Sequence, residues 1–238
     1  MPGPVTTRLV ARARVARDVV DVAFEVVDPP RLAFRAGQFV TLTVGRDAAG
    51  QTLRRSYSIA SMSDRGESLR FLIRVIPDGM ASDFFVDLPL ASEVEMTGPH
   101  GFFVLAPHHQ GDVVFAATGT GLAPVLPMLG ELQQRQEAGR RLVYWGLRHE
   151  SDLFVPDEVQ AICDTAGATL MTYLSRPSDD WTGRRGRITP AVLQEAPSLT
   201  SPTFYLVGNG AMIAEVKNAL VAAGVDRRKQ IRTEAFFD

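Results

Sequence analysis

Thr118-Gly119-Thr120-Gly121-Leu122-Ala123-Pro124 is the sharpest chemical signal in the second half of this chain. A glycine-rich turn between an apolar run and a helical stretch lets backbone N–H groups approach a pyrophosphate, and the helix N-terminus adds partial positive charge. The full dinucleotide fingerprint is not present, because Pro124 stands where a third glycine belongs. Nor does the next strand end in an acidic residue for a ribose; it runs into Gly146-Leu147-Arg148. A nucleotide site of a different subtype is implied.

In the first half, Arg54-Arg55-Ser56-Tyr57-Ser58-Ile59-Ala60-Ser61 sets a guanidinium, a phenol and hydroxyls along one strand. Such a strand can meet a phosphate and an aromatic ring together. It also reads as an exposed strand face with an ordinary Arg–Tyr pairing. Gly79-Met80-Ala81-Ser82 offers a second turn with backbone donors for phosphate oxygens, and Gly98-Pro99-His100-Gly101-Phe102 is a tight turn with two glycines. Near the end, Thr233-Glu234-Ala235-Phe236-Phe237-Asp238 carries adjacent phenylalanines, which are odd for a solvated tail and can serve as core plugs.

Other chemistries lack their residues. The single cysteine, Cys163, excludes a disulfide framework, cysteine-rich zinc sites and a four-thiolate iron–sulfur cluster within these residues. It falls at helical spacing with Val159, Ile162 and Ala166, as a small core residue does. No nucleophile elbow, Walker loop or H-E-x-x-H is present, and His100, His108, His109 and His149 form no metal-ligand spacing. His108-His109 reads as a hydrated pair in a linker. The net charge is −2 without a basic block, which argues against nucleic acid. Arg8, Arg12, Arg14 and Arg17 come close together near the N-terminus, as solubilising charges on an edge strand or as a docking face for an acidic partner. No apolar run of about 18 residues and no leader is seen, so no membrane partner and a cytoplasmic location are expected; a monomer is the default expectation.

The elements that must position these residues fall into two rhythms. In the first hundred residues Val20, Val22, Phe24 and Val26, then Val40, Leu42 and Val44, then Leu69, Phe71 and Ile73 alternate with other residues, between turn-rich segments. That is the pattern of an antiparallel sandwich or small barrel. Beyond residue 110, Val113–Ala117, Leu142–Gly146, Ala168–Leu174 and Thr203–Val207 read as strands. Helical stripes follow them: Val125 to Leu132, Val159 to Ala166, a helix begun by Thr189-Pro190, and Ile213 to Leu220. Strand–helix alternation means a parallel, doubly wound sheet. The predicted architecture is an antiparallel β-barrel over residues 1–108, followed by an α/β nucleotide-binding domain over 109–238.

Taken in order, these segments resemble the ferredoxin–NADP reductase superfamily of flavoproteins over almost the whole length. Arg55-Ser56-Tyr57-Ser58 matches its R-x-Y-S flavin motif, Gly79–Ser82 its G-x-x-S pyrophosphate loop, and Gly98 to Phe102 its G-P-x-G-x-F turn. Gly119 to Pro124 matches the G-T-G-x-A-P nucleotide loop. Tyr144 to Arg148 with Asp152-Leu153 fits the next strand and loop, and Tyr205 to Met212 fits the late C-G-x-x-x-M segment, with Val207 in place of the cysteine.

The resemblance implies FAD on the first domain: Arg55 on the pyrophosphate, Ser56 in the same motif, Tyr57 against the isoalloxazine, Ser58 near flavin N5, and Gly79, Met80, Ala81 and Ser82 donating to phosphates. It implies NAD(P)H on the second domain through Thr118, Gly119, Thr120, Gly121, Ala123 and Pro124, with Gly146 and Arg148 on the next loop. Gly208, Asn209, Gly210 and Met212 would lie beside the nicotinamide. The C-terminal tail would return to the flavin, with Phe236 or Phe237 covering it and Glu234 relaying a proton. Ser58, Glu234 and Phe236 are therefore the expected catalytic residues, and no metal is expected.

Ser175, Arg176 and Arg187, with Arg184 and Arg185 nearby, match positions that grip a 2′-phosphate, which favours NADP. Trp181-Thr182-Gly183 resembles the NAD-using oxygenase reductases and keeps NAD open. The implied activity is an FAD-dependent NAD(P)H oxidoreductase passing electrons to a ferredoxin or flavodoxin. The alternatives are an NADH-dependent oxygenase reductase component, a flavin reductase, and a flavin- or nucleotide-binding regulatory module without turnover.

Overall fold

The computed structural model describes residues 3–46, 49–62, 66–135 and 137–236. Two compact units divide between Val104 and Leu105. The division precedes the expected 108/109 boundary because Ala106 and His109 are tied to the second unit: the Ala106 N–H donates to the Tyr205 hydroxyl at 2.8 Å, and His109 Nε2 lies 2.9 Å from the same oxygen.

The first unit contains β1 (Pro4–Ala16), β2 (Val19–Asp28), β3 (Phe39–Arg46), β4 (Thr52–Ser58), β5 (Ser68–Arg74), α1 (Met80–Asp87) and β6 (Glu93–His100). All its pairings are antiparallel, in the order β4-β3-β6-β1-β2-β5. The alternation read from sequence is the burial pattern: Val20, Val22, Phe24 and Val26 are buried, as are Val40, Leu42 and Val44. All six strands supply side chains to one core, and just past β4 the Ala60 N–H donates to the Arg70 carbonyl of β5 at 2.8 Å, so the two end strands approach each other as in a barrel.

The basic residues near the N-terminus are largely committed within the unit. Arg8 pairs with Glu25 and Glu93, and Arg14 donates to the Arg17 carbonyl. Arg12 donates to the Phe85 and Leu88 carbonyls at 3.0 and 2.8 Å, supplying cationic donors at the C-terminal end of α1, whose last turn holds no basic residue. Among the described residues only Arg8 and Arg17 face carboxylates here, and the bonds of Arg12 and Arg14 to neutral carbonyls leave their charge in place.

The second unit contains β7 (Val113–Thr118), α2 (Val125–Arg135), β8 (Arg141–Leu147), α3 (Pro156–Thr165), β9 (Ala168–Leu174), β10 (Arg184–Arg185), α4 (Ile188–Glu195), β11 (Thr203–Asn209), α5 (Gly210–Ala222), α6 (Arg227–Gln230) and β12 (Ile231–Phe236). Its sheet is parallel, in the order β10-β9-β8-β7-β11-β12. The order reverses between β7 and β11, and a ligand in such a sheet binds outside the carboxyl ends of the strands at that switch point. Cys163 is fully buried in α3. Thr189 and Pro190 lie inside the first turn of α4; its N-cap is Arg187.

His109 is not a hydrated linker residue. Its side chain is 0% exposed, and its Nδ1 lies 2.7 Å from Glu137 Oε2. Because the Tyr205 oxygen already accepts the Ala106 N–H, the phenol proton is free to go to His109 Nε2, and His109 Nδ1–H then serves Glu137. His108 is 91% exposed, as expected of a linker.

Candidate functional site

In the first unit β4 is the end strand of the sheet order and carries Arg55 and Ser56 exposed. The Arg55 guanidinium donates to the Arg54 carbonyl at 2.9 Å, which leaves most of its donors open among the described residues. The Ser56 hydroxyl pairs with Thr41 across β3 at 2.9 Å. Tyr57 turns inward and meets Phe85 of α1 edge-on. Burial pushes its hydroxyl up to about 12 against the opposing pull of Arg55, so it remains a neutral donor. Ser58 is buried at the end of β4, in register with Phe39, which in turn pairs with His100.

Gly79 caps α1 without a side chain, and the N–H groups of Met80, Ala81 and Ser82 find no acceptor among the described residues. Open amides at a helix start favour an anion. The Ser82 hydroxyl faces the other way: its oxygen accepts the Ile76 N–H at 2.7 Å and holds the loop against the end of the sheet. Ile76 and Met80 are exposed beside these amides. A cation, open amides and uncovered apolar side chains fit a group with a pyrophosphate and a flat ring, which is the donor set FAD requires.

In the turn after β6 two adjacent phenylalanines face opposite ways. Phe103 is the buried ring at 3% exposure, and Phe102 stands 94% exposed. The motif spacing itself points to position 103, one residue beyond the quoted run.

In the second unit the nucleotide loop and the β11–α5 turn interlock at the switch point. The Thr118 Oγ1 accepts the Asn209 N–H at 2.8 Å, and the Asn209 side chain caps α5 by accepting the Met212 N–H at 3.1 Å. Asn209 thus shapes the helix start with its side chain committed. A Cβ on Gly121 would stand 2.9 Å from the Val207 carbonyl oxygen, so this glycine serves the fit of loop against strand. Gly119 has φ +55° with nothing within 4 Å of a Cβ position, an open face for a ligand, and its carbonyl accepts the Trp145 indole N–H at 3.2 Å. Ala123 and Pro124 are buried, and Thr120 is half-buried.

Ser175 and Arg176 donate their backbone N–H groups to the Leu147 and Arg148 carbonyls at 3.0 and 2.8 Å, which brings Arg176 beside Arg148 at the strand ends. The side chains of Arg148, Arg176 and Arg187 are exposed and have no partner among the described residues. Arg185 instead donates to the Ser178, Asp179 and Trp181 carbonyls and closes that loop, while Arg184 lies over the Tyr173 ring. Gly146 packs against Ile188 of α4. On β12, Glu234 pairs with Val207 and Phe236 with Asn209, so Phe236 lies next to the switch-point turn. Phe237 lies outside the described residues. The sequence reading missed Phe85, Arg12 and the His109–Tyr205 pair; each acts through a contact distant in sequence that no local spacing announces.

Among the described residues no cluster suited to a metal occurs, and no helix is long and apolar enough to cross a membrane. An oxidoreductase FAD-binding domain family matches residues 6–105, and an oxidoreductase NAD-binding domain family matches residues 115–218. A ferredoxin–NADP reductase B of Sorangium cellulosum is 29% identical over 98% of this chain and 98% of its own length. The reductase subunit of an aromatic O-demethylase from Amycolatopsis is 32% identical over 87% of this chain, which spans only 62% of that relative. The crystal structure of the Amycolatopsis cytochrome P450 reductase GcoB superposes with a TM-score of 0.86 at 30% identity, over 98% of this chain and 70% of that one.

Proposed function

The chain belongs to the ferredoxin–NADP reductase-like superfamily of FAD- and NAD(P)-dependent oxidoreductases, and on that footing we propose that it is an NADPH-dependent reductase that delivers electrons to a small redox protein. The observation that carries this reading is the pairing, in one chain, of an open anion cradle at Arg55 and Met80–Ser82 with an interlocked nucleotide loop at the sheet's switch point. A binding module without turnover needs only one of the two.

Bound FAD would supply hydride acceptance from a nicotinamide and single-electron release to an acceptor. The residues of the chain bind and orient. Arg55 and the amides of Met80, Ala81 and Ser82 take the pyrophosphate, and Tyr57 supports the ring system. Ser58 presents its hydroxyl at the end of β4. Thr118 to Pro124 and Gly208 to Met212 take the nicotinamide nucleotide, with Phe236 in register beside Asn209, and Glu234 is assigned the proton relay. Arg148, Arg176 and Arg187 suit a 2′-phosphate, because the guanidinium fork matches phosphate geometry and these three have no acidic partner among the described residues.

The second reading, the reductase component of an oxygenase, is supported by the O-demethylase relative and by the Trp181 loop, which Arg185 and Glu150 hold closed. An anaerobic absorbance titration with NADPH and NADH in separate cells tests both. Bleaching of the flavin bands at lower NADPH than NADH supports the first reading, and the reverse order supports the second. A protein that takes up no FAD contradicts the roles given to Arg55 and Tyr57.

A further inference from the structure

On the flank of the second unit's sheet, away from the strand ends, lies a cavity of about 400 Å³ lined by Tyr144, Met171, Tyr173, Arg184, Gln194 and Glu195. Small-ligand sites commonly measure about 300–1,000 Å³. It exists because β10 pairs only with Tyr173 and Leu174 of β9, so the rest of that edge is left uncovered beside α4. Tyr144 lies opposite Met171 in register and four residues before Arg148. At about 3.3 Å per residue, that sets it about 13 Å along the strand from the nucleotide loops.

Tyr144 is 2% exposed, yet its hydroxyl makes no hydrogen bond among the described residues and borders the cavity. Burial first, then Glu195 and Tyr173, push that hydroxyl up to about 12, which keeps it a neutral donor. The Tyr144 and Tyr173 rings lie 25° from parallel with centroids 6.5 Å apart, forming an aromatic wall continued by Met171 and Ala191. The Arg184 guanidinium lies 5.8 Å from the Tyr173 ring centroid and makes no ion pair among the described residues. Glu195 uses Oε1 to accept from Arg140 and Ser198, which leaves Oε2 open among the described residues. The cavity therefore offers a flat apolar wall, a cation with a phenol donor, and a carboxylate acceptor.

The geometry points to a binding site for a planar aromatic carboxylate bearing a ring hydroxyl, separate from the nucleotide site. The carboxylate goes to Arg184 beside Tyr173, the ring lies against the tyrosines and Met171, and the ring hydroxyl accepts from the Tyr144 hydroxyl and donates to Glu195 Oε2. Calorimetric titration of the full chain with 4-hydroxybenzoate tests this. Saturable binding is expected, weaker for benzoate and absent for 4-hydroxybenzylamine and cyclohexanecarboxylate. Tyr144→Phe weakens it about fivefold by removing one hydrogen bond. Arg184→Gln weakens it about tenfold or more by removing a charged one. Ala191→Leu fills the cavity without touching a polar group and abolishes binding. Saturating NADP⁺ leaves the affinity unchanged. No saturable binding, equal binding of cyclohexanecarboxylate, or displacement by NADP⁺ overturns the proposal; the last would assign the cavity to the nucleotide.

Discussion

The ring of Tyr57 meets that of Phe85 edge-on, with centroids 4.9 Å apart and planes at 84°. That contact fixes the strand bearing Arg55 against the helix whose first amides are open, so one aromatic pair holds both sides of the proposed pyrophosphate cradle. Phe85 is 1% exposed and also stands edge-on to Phe84 at 5.1 Å.

Phe85→Ala should therefore loosen the flavin as well as the fold. Removing a buried phenylalanine costs about 3–5 kcal/mol, and Tyr57 loses its support. The ratio of flavin to protein absorbance after gel filtration should fall together with the unfolding midpoint. Full flavin retention in a destabilised variant would mean that the pair does not organise the cradle.

Gly208→Ala should act on the nucleotide alone. Gly208 has φ +108°, and a Cβ there would stand 2.4 Å from Thr118 Oγ1 and 2.7 Å from the Thr118 carbonyl oxygen. Either the Thr118–Asn209 hydrogen bond breaks or the loop moves, and a displacement of about 1 Å can cost about a hundredfold in rate. Steady-state assays should show kcat/KM for NADPH reduced by at least tenfold with flavin content unchanged. Loss of flavin instead would show that the strain spreads through the molecule.

Much of the fold was legible because each unit keeps one period. Alternation at Val20 to Val26 and Val40 to Val44 marked strands buried on one side, and Val113 to Ala117 marked a strand covered on both. The glycine loops were legible because turn chemistry is local. What was hidden depends on partners far along the chain. His109 read as hydrated because the Tyr205 hydroxyl that donates to its Nε2 lies 96 positions away. Arg12 read as surface charge because its carbonyl partners lie 73 and 76 positions away. The buried ring of the turn after β6 was legible although the run to Phe102 stops short of it, because the G-P-x-G-x-F spacing counted from Gly98 ends at Phe103.

Arg176 and Arg187 bear on which nucleotide is used. Neither has a partner among the described residues, so replacing them leaves no buried group unpaired. Arg176→Ala and Arg187→Ala should each raise the KM for NADPH by about tenfold or more, the size of a charged hydrogen bond, and change the KM for NADH less than about twofold. Equal effects on both nucleotides would move these arginines away from the 2′-phosphate.

Asp112 gives the second unit a defined acid sensitivity. Burial pushes its carboxyl up, but the Thr200 and Arg140 N–H groups and the Arg140 guanidinium outweigh this and hold it below the usual carboxylate range. A depressed folded value means stability that is present above the unfolded value, about 3.9, and lost as pH falls through the folded one. Asp112→Asn should lower stability at pH 7 and flatten its decline below pH about 4, as read from urea unfolding across pH. A parallel decline in both proteins would place the acid sensitivity elsewhere.

Tyr205→Phe tests the chain of hydrogen bonds that ties residues 106–109 to β11. The Tyr205 oxygen accepts the Ala106 N–H at 2.8 Å and its proton goes to His109 Nε2, while His109 Nδ1–H serves Glu137 at 2.7 Å. The ring stacks on Phe115 with centroids 5.2 Å apart, so phenylalanine keeps the packing and removes the oxygen alone. The Ala106 N–H and His109 Nε2 then lose their partner in a largely buried place, at about 1–3 kcal/mol. The expected result is a lower unfolding midpoint and faster amide exchange at Ala106, with the flavin spectrum of the first unit unchanged. His109→Phe removes the middle of the same chain and should cost less in combination with Tyr205→Phe than the two costs added, because they break one shared interaction. Additive costs would mean that the two side chains stabilise the unit independently and that the proton assignment between them is wrong.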